Sequence, residues 1–146
     1  MAFGTLQLSK AFALAVHLLV RLAESEGRPV STVKLAASLE ASRDHLLKVA
    51  QRLARSGLVL AQRGPAGGLF LARDPEAVSL LEVYEAVEGP LTPYLCALHS
   101  RPCGRQPCVF GNFLPEFSQQ LRSFLAGTSI AQLARRSATA QGQPGG

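Results

Sequence analysis

The sequence contains no apolar run close to the ~20 residues that a membrane span needs. Its most apolar stretch, 11–20, is broken by His17 and followed by Arg21. That stretch has no small-residue cleavage site after it, so it does not read as a secretory signal either. Cysteine is scarce and odd in number, three in all. A disulfide scaffold would want an even set in an exported chain, so the thiols are expected to be reduced and the protein cytoplasmic. No internal repeat stands out. Missing too are a Ser/His/Asp constellation, a P-loop and paired carboxylates in a glycine-rich frame, so an enzyme is not expected. His17, set among apolar residues, reads as a core or interface histidine.

What is present is a core-forming chain with a lopsided charge. Apolar residues make up 47% of 146 residues, which suits one folded domain and excludes a disordered chain. Residues 1–75 hold ten Lys or Arg and five Asp or Glu, whereas residues 76–146 hold five of each. Five cations (Arg43, Lys48, Arg52, Arg55 and Arg63) and one anion (Asp44) lie between positions 43 and 63. Such a cluster suits a polyanion, because neutralising phosphates releases condensed counterions. It also suits an ordinary solvated face.

The order of elements favours the first reading. Leu8, Phe12, Val16, Leu19 and Ala23 recur at helical spacing and predict a buried helix over 8–24, closed by Gly27 to Pro29. Ser31 or Thr32 caps a short helix over 33–39. After a break at Glu40 and Ala41, Ser42 caps a second helix over 43–56, with Gly57 as its stop. Leu46, Val49, Ala50 and Leu53 form its inward stripe. Arg43, His45, Lys48, Gln51, Arg52 and Arg55 point mostly away from that stripe. Two helices joined by so short a break are a helix-turn-helix. Apolar runs at 58–61 and 69–72 then flank Gln-Arg-Gly-Pro-Ala-Gly-Gly, a hairpin turn with Arg63 near its tip. Gly64 and Gly67 would let that tip approach a groove closely. A helix-turn-helix followed by a hairpin is a winged helix, a mainly α fold with one small β-hairpin. It makes double-stranded DNA the expected partner.

The second half reads as helical. Ser79 and Glu82 form a capping-box pattern opening a helix over 80–88. A loop of about 20 residues follows, 89–110, long enough to imply function. Phe113, Phe117, Leu121, Phe124 and Leu125 mark another amphipathic helix. Thr128 caps a last one to about residue 136, and 137–146 reads as a disordered tail.

The loop carries Cys96, Cys103 and Cys108, spaced by six and four residues, with His99 between the first two. Three readings fit. Thiolates are soft ligands that suit an iron–sulfur cluster. Cys96, His99, Cys103 and Cys108 together supply the four N/S ligands of a zinc site, although the familiar C-x-x-C pair is missing. The cysteines could also be unrelated, or a thiol redox switch.

The blocks 53–59 (LARSGLV), 63–69 (RGPAGGL) and 81–87 (LEVYEAV), with 8–10 (LSK), 20–23 (VRLA) and the three cysteines, resemble the Rrf2 family of winged-helix regulators. That family includes the iron–sulfur cluster assembly regulator (IscR) and the nitric-oxide-sensitive repressor (NsrR). The resemblance spans about residues 6–136. It implies a winged-helix region over 1–75, a connecting helix and cysteine loop over 76–110, and a dimerisation helix with a short final helix over 111–136. It implies a homodimer, the helix 43–56 in the major groove, and Arg63 with the wing at the minor groove. It also implies that Cys96, Cys103 and Cys108 ligate an iron–sulfur cluster sensing iron, redox state or nitric oxide. The family's cysteines are usually separated by five and five residues. One branch has a histidine where this chain has Gly111. Another takes an acidic ligand from the partner's first helix, where this chain has Ala13. His99 or a non-protein group is then the candidate fourth ligand, and 2Fe–2S and 4Fe–4S both stay open.

A cluster-loaded loop would bias the spacing of two winged helices and so set affinity for a pseudo-palindromic operator, as expected of a repressor. Lys48, Arg52 and Arg55 are the expected phosphate contacts. Ser42, Arg43 and His45 are the expected base readers. A cluster-free or zinc regulator, or a winged-helix protein-interaction module, is the alternative.

Overall fold

Ser9 opens the first helix by accepting a hydrogen bond from Phe12 N, and α1 runs Lys10–Glu24. This is a computed structural model, and it describes residues 8–91, 104 and 108–142. Leu18, Leu19 and Leu22 of α1 are fully buried, and the helix forms the spine of the molecule. Ser31, not Thr32, caps α2 (Thr32–Ser38). Ser42 caps α3 (Arg43–Arg55) through His45 N. Between them Glu40 takes a left-handed φ of 51°, which turns the chain sharply enough to set α3 against α1 and α2. At the far end of α3, Gly57 adopts φ 73°. The Gly57 and Leu58 amides bond back to Ala54 O and Leu53 O, the pattern of a glycine-closed helix.

The hairpin follows at once. β1 (Val59–Gln62) pairs antiparallel with β2 (Gly68–Leu71), Val59 opposite Leu71 and Gln62 opposite Gly68. Val59 and Leu69 are buried, and Leu60 is exposed. Val30 adds a third, one-residue rung: its N–H and C=O both bond to Leu69. That rung joins segments far apart in sequence, so no local pattern announces it.

A single 3-10 turn, Pro75–Ala77, leads to α4 (Leu80–Glu88), which opens on the expected Ser79–Glu82 capping box. The connector after it passes out of the described residues at 92. The chain re-enters through the turn Cys108–Gly111 to α5 (Phe113–Gly127) and α6 (Ile130–Gln141). α1, α3 and α4 share one core with Leu46, Leu53, Val83, Val87, Leu125 and Ile130.

Two expectations at this end are corrected. Thr128 does not cap α6. It closes α5, its hydroxyl donating to Phe124 O, and Ser129 forms a second capping box with Gln132. The final helix also reaches Gln141, well into the segment expected to be a disordered tail. Its extra turn carries Ala138 and Ala140, strong helix formers, and Thr139 donates to Arg135 O. Composition read as a tail is here a helix that the capping box has already nucleated.

Candidate nucleic-acid interface and cysteine segment

α3 presents two unlike faces because 3.6 residues per turn separates them. Leu46, Val49, Ala50 and Leu53 are buried against α1 and α4. Arg43, Asp44, Lys48, Gln51, Arg52 and Arg55 are exposed, and His45 is half-buried. Lys48 and Arg55, seven positions apart, share one side of the helix two turns from each other. The Ser42 hydroxyl is engaged as the helix cap, accepting from His45 N at 3.2 Å, which uses one of its acceptor sites and leaves its O–H donor. Arg43, Lys48 and Arg55 make no salt bridge among the described residues, which leaves three unpaired cations on the outer face.

The wing tip is open to solvent as well. Arg63, Gly64, Pro65 and Ala66 are exposed. The glycines, however, answer to the hairpin itself. A Cβ on Gly67 would stand 2.1 Å from Gln62 O, and one on Gly68 would stand 2.2 Å from Val30 O. Gly64 adopts φ 108°, a conformation L side chains rarely take, although its surroundings are open. Gly67 is therefore fixed by close packing inside the wing. Closeness to a groove is not needed to explain it.

Arg52 has a different neighbour from the one the sequence implies. Its guanidinium donates to the carbonyl of Val87, 3.0 Å away in the last turn of α4. This separation of 35 positions is why helical periodicity alone groups Arg52 with the outward cations. Its guanidinium is tied to the body of the protein by that bond. Of the two readings of His17, core or interface, the core one is overturned. His17 is exposed, beside Ala13, Leu14, Glu40 and His45 in a shallow groove between α1 and the start of α3.

Of the cysteine segment, Cys96, His99 and Cys103 lie outside the described residues. Cys108 lies within them as a half-buried free thiol, and its carbonyl accepts from Gly111 N at 2.9 Å. Gly111 has φ 59°, so the position that holds a histidine in one branch of the family here serves a left-handed turn. No group of three or more His, Cys, Asp or Glu among the described residues is arranged to hold a metal ion. The chemistry of the donor set, three thiols in one segment, fits a soft metal or cluster.

One titratable group near α4 is clearly perturbed. Burial alone would raise the Glu82 carboxyl. A hydrogen bond from Arg73 at 2.7 Å, the Ser79 N–H and the Arg73 charge outweigh it and hold the carboxyl below its usual range.

The family model for Rrf2, described as an iron-dependent transcriptional regulator, matches residues 8–136. The chain belongs to the Rrf2 family. This Rrf2 protein is 31% identical over 125 residues to the HTH-type transcriptional regulator ORF2 of Azotobacter vinelandii, covering 84% of the chain and 76% of that protein. It is 29% identical over 124 residues to the transcriptional regulator IscR of Xenorhabdus nematophila, covering 85% and 75%. Among solved structures it superposes on CymR, the global cysteine regulator of B. subtilis, with a TM-score of 0.75 at 24% identity. That match covers 90% of this chain and 98% of the other. The winged helix-turn-helix fold, the DNA-binding class and a regulatory rather than enzymatic role are thereby established for this Rrf2 protein. No described helix is long and apolar enough to cross a membrane.

Proposed function

We propose that this Rrf2 protein is a homodimeric repressor that reads a pseudo-palindromic duplex and is controlled by an iron–sulfur cluster on Cys96, Cys103 and Cys108. The observation that carries the DNA reading is the outer face of α3. Arg43, Lys48 and Arg55 stand exposed there without a salt bridge among the described residues, on a helix packed into the core. Lys48 and Arg55, with Arg63 on the wing, are the proposed phosphate contacts. Arg43 and His45, at the end of the helix that would enter the groove, are the proposed base readers, with the Ser42 hydroxyl beside them. Dimerisation is supported by α5, which buries only Leu114 and Leu125 and leaves Phe113 and Phe124 about half exposed.

The cluster reading rests on the three thiols and on the family's description as iron-dependent. When bound, a cluster would supply the redox or iron sensitivity. The chain's part is to present thiolates and to carry a change at the segment to α3. Selection from a random duplex pool should return a pseudo-palindrome with half-sites about one or more helical turns apart. Iron and sulfide should co-purify anaerobically in proportion to protein. Stoichiometric zinc without sulfide would replace the cluster by a zinc site of the same cysteines, with His99 as the fourth ligand. Protein free of metal would leave a thiol switch.

A further inference from the structure

The end of α4 is held by three other parts of the molecule at once. Arg52 of α3 donates to Val87 O. The Ser9 hydroxyl, which caps α1, also donates to the Glu88 carboxylate. Arg122 of α5 donates to Leu91 O at 3.3 Å. These five positions, 87–91, are the last described residues before the segment that carries Cys96 and Cys103. Val87 O is one of the terminal carbonyls that an α-helix leaves without an internal partner, and Arg52 satisfies it with a cation where the helix dipole is negative. The opposite end of α4 is pinned too, by Leu80 N to Thr128 O and Ile130 N to Val78 O. α4 is therefore held at both ends, and its C-terminal hold leads directly into the cysteine segment.

From this geometry we infer that Arg52 is a positioning residue, coupling the entry of the cysteine segment to the orientation of the DNA-facing helix. This rests on the DNA-binding reading above. α3 and α4 share a core that includes Leu53 and Val83, and Arg52 adds a side-chain hydrogen bond from α3 to the α4 backbone. A displacement of 87–91 withdraws its acceptor. Arg52 is then released to solvent or to phosphate, and α3 loses a fixed contact on that side. Coupling of two sites is reciprocal in free energy, so holding α3 on DNA must hold residues 87–91 as well.

That reciprocity gives a test that needs no metal. Amide hydrogen exchange of the peptide covering 84–91 is measured with and without a duplex selected by this protein from a random pool. Wild type and Arg52→Lys, whose ammonium can still reach one carbonyl, should both show exchange slowed several-fold by the duplex. Arg52→Met should bind the duplex with an unchanged salt slope yet show no slowing. Arg55→Ala is the reference for a phosphate contact: its slope should fall while the slowing persists. The inference is overturned if Arg52→Met keeps the slowing, if wild type shows none, or if Arg52→Met flattens the salt slope as Arg55→Ala does. A wild type that binds no duplex contradicts the DNA-binding reading itself and removes the basis of the inference with it.

Discussion

Gly68 shows how a single missing side chain shapes the interface. Its φ of 157° lies at the edge of the range L residues avoid, and a Cβ there would meet Val30 O at 2.2 Å. The backbone carbonyl cannot move without breaking the Val30–Leu69 rung. Gly68→Ala should therefore cost about 2–3 kcal/mol, read by denaturant unfolding. Gly64→Ala should cost less, since only its φ is strained and its surroundings are open. Glu82 gives a pH signature. Its folded carboxyl titrates below the ordinary value of 4.5, so it stabilises the fold above that value and loses this contribution as pH falls through the depressed one. Glu82→Gln keeps a capping-box side chain but no charge. Its unfolding free energy should fall less steeply than wild type below about pH 4.5, and parallel curves would contradict the assignment.

Elements defined by local chemistry were legible in the sequence. α4 and its capping box, the cap at Ser42 and the stop at Gly57 all depend on neighbours within four positions and are found where the residues put them, and the α2 cap is Ser31, one of the two candidates. The wing was legible for the same reason, through Pro and Gly between two apolar runs. What escaped depends on distant partners: the Val30 rung, the Arg52–Val87 bond and the pinning of α4 by the α5–α6 corner. The turn of the helix-turn-helix is a mixed case. Its position was readable, but its left-handed residue is Glu40, where glycine is the usual choice. A left-handed L residue costs roughly 1–2 kcal/mol, partly offset by the greater unfolded-state freedom of glycine. Glu40→Gly should thus raise stability by about 0.5–1 kcal/mol in thermal or urea unfolding. A loss would mean that the Glu40 side chain has a role in the turn that its exposed position does not reveal.

At the scale of the whole molecule, an apolar face of α5 is left uncovered among the described residues. Phe113 and Phe124 of α5 are 55% and 54% exposed, and Phe113 stacks on Phe117 with ring centres 6.0 Å apart. A second protomer is the proposed cover. Phe124→Asp should shift the protein toward monomer in analytical ultracentrifugation while leaving its circular dichroism unchanged. A variant as dimeric as wild type would place the interface elsewhere. Half of the proposed regulatory site, Cys96 and Cys103 with His99, was legible as donor chemistry and lies outside the described residues. The proposed DNA-facing half was legible as charge on one side of a periodic helix, but the bond from Arg52 to Val87 O was not.

DNA recognition by α3 and the wing is tested most directly by titrating the selected duplex against protein while the salt concentration is raised. Wild type should show log K falling steeply and linearly with log salt, because several phosphates are neutralised. Arg55→Ala should weaken binding to every sequence and reduce the slope by about 1, whereas Arg43→Ala should narrow the gap between selected and scrambled duplex by about 1–3 kcal/mol. Binding insensitive to salt, and to both substitutions, would contradict the account.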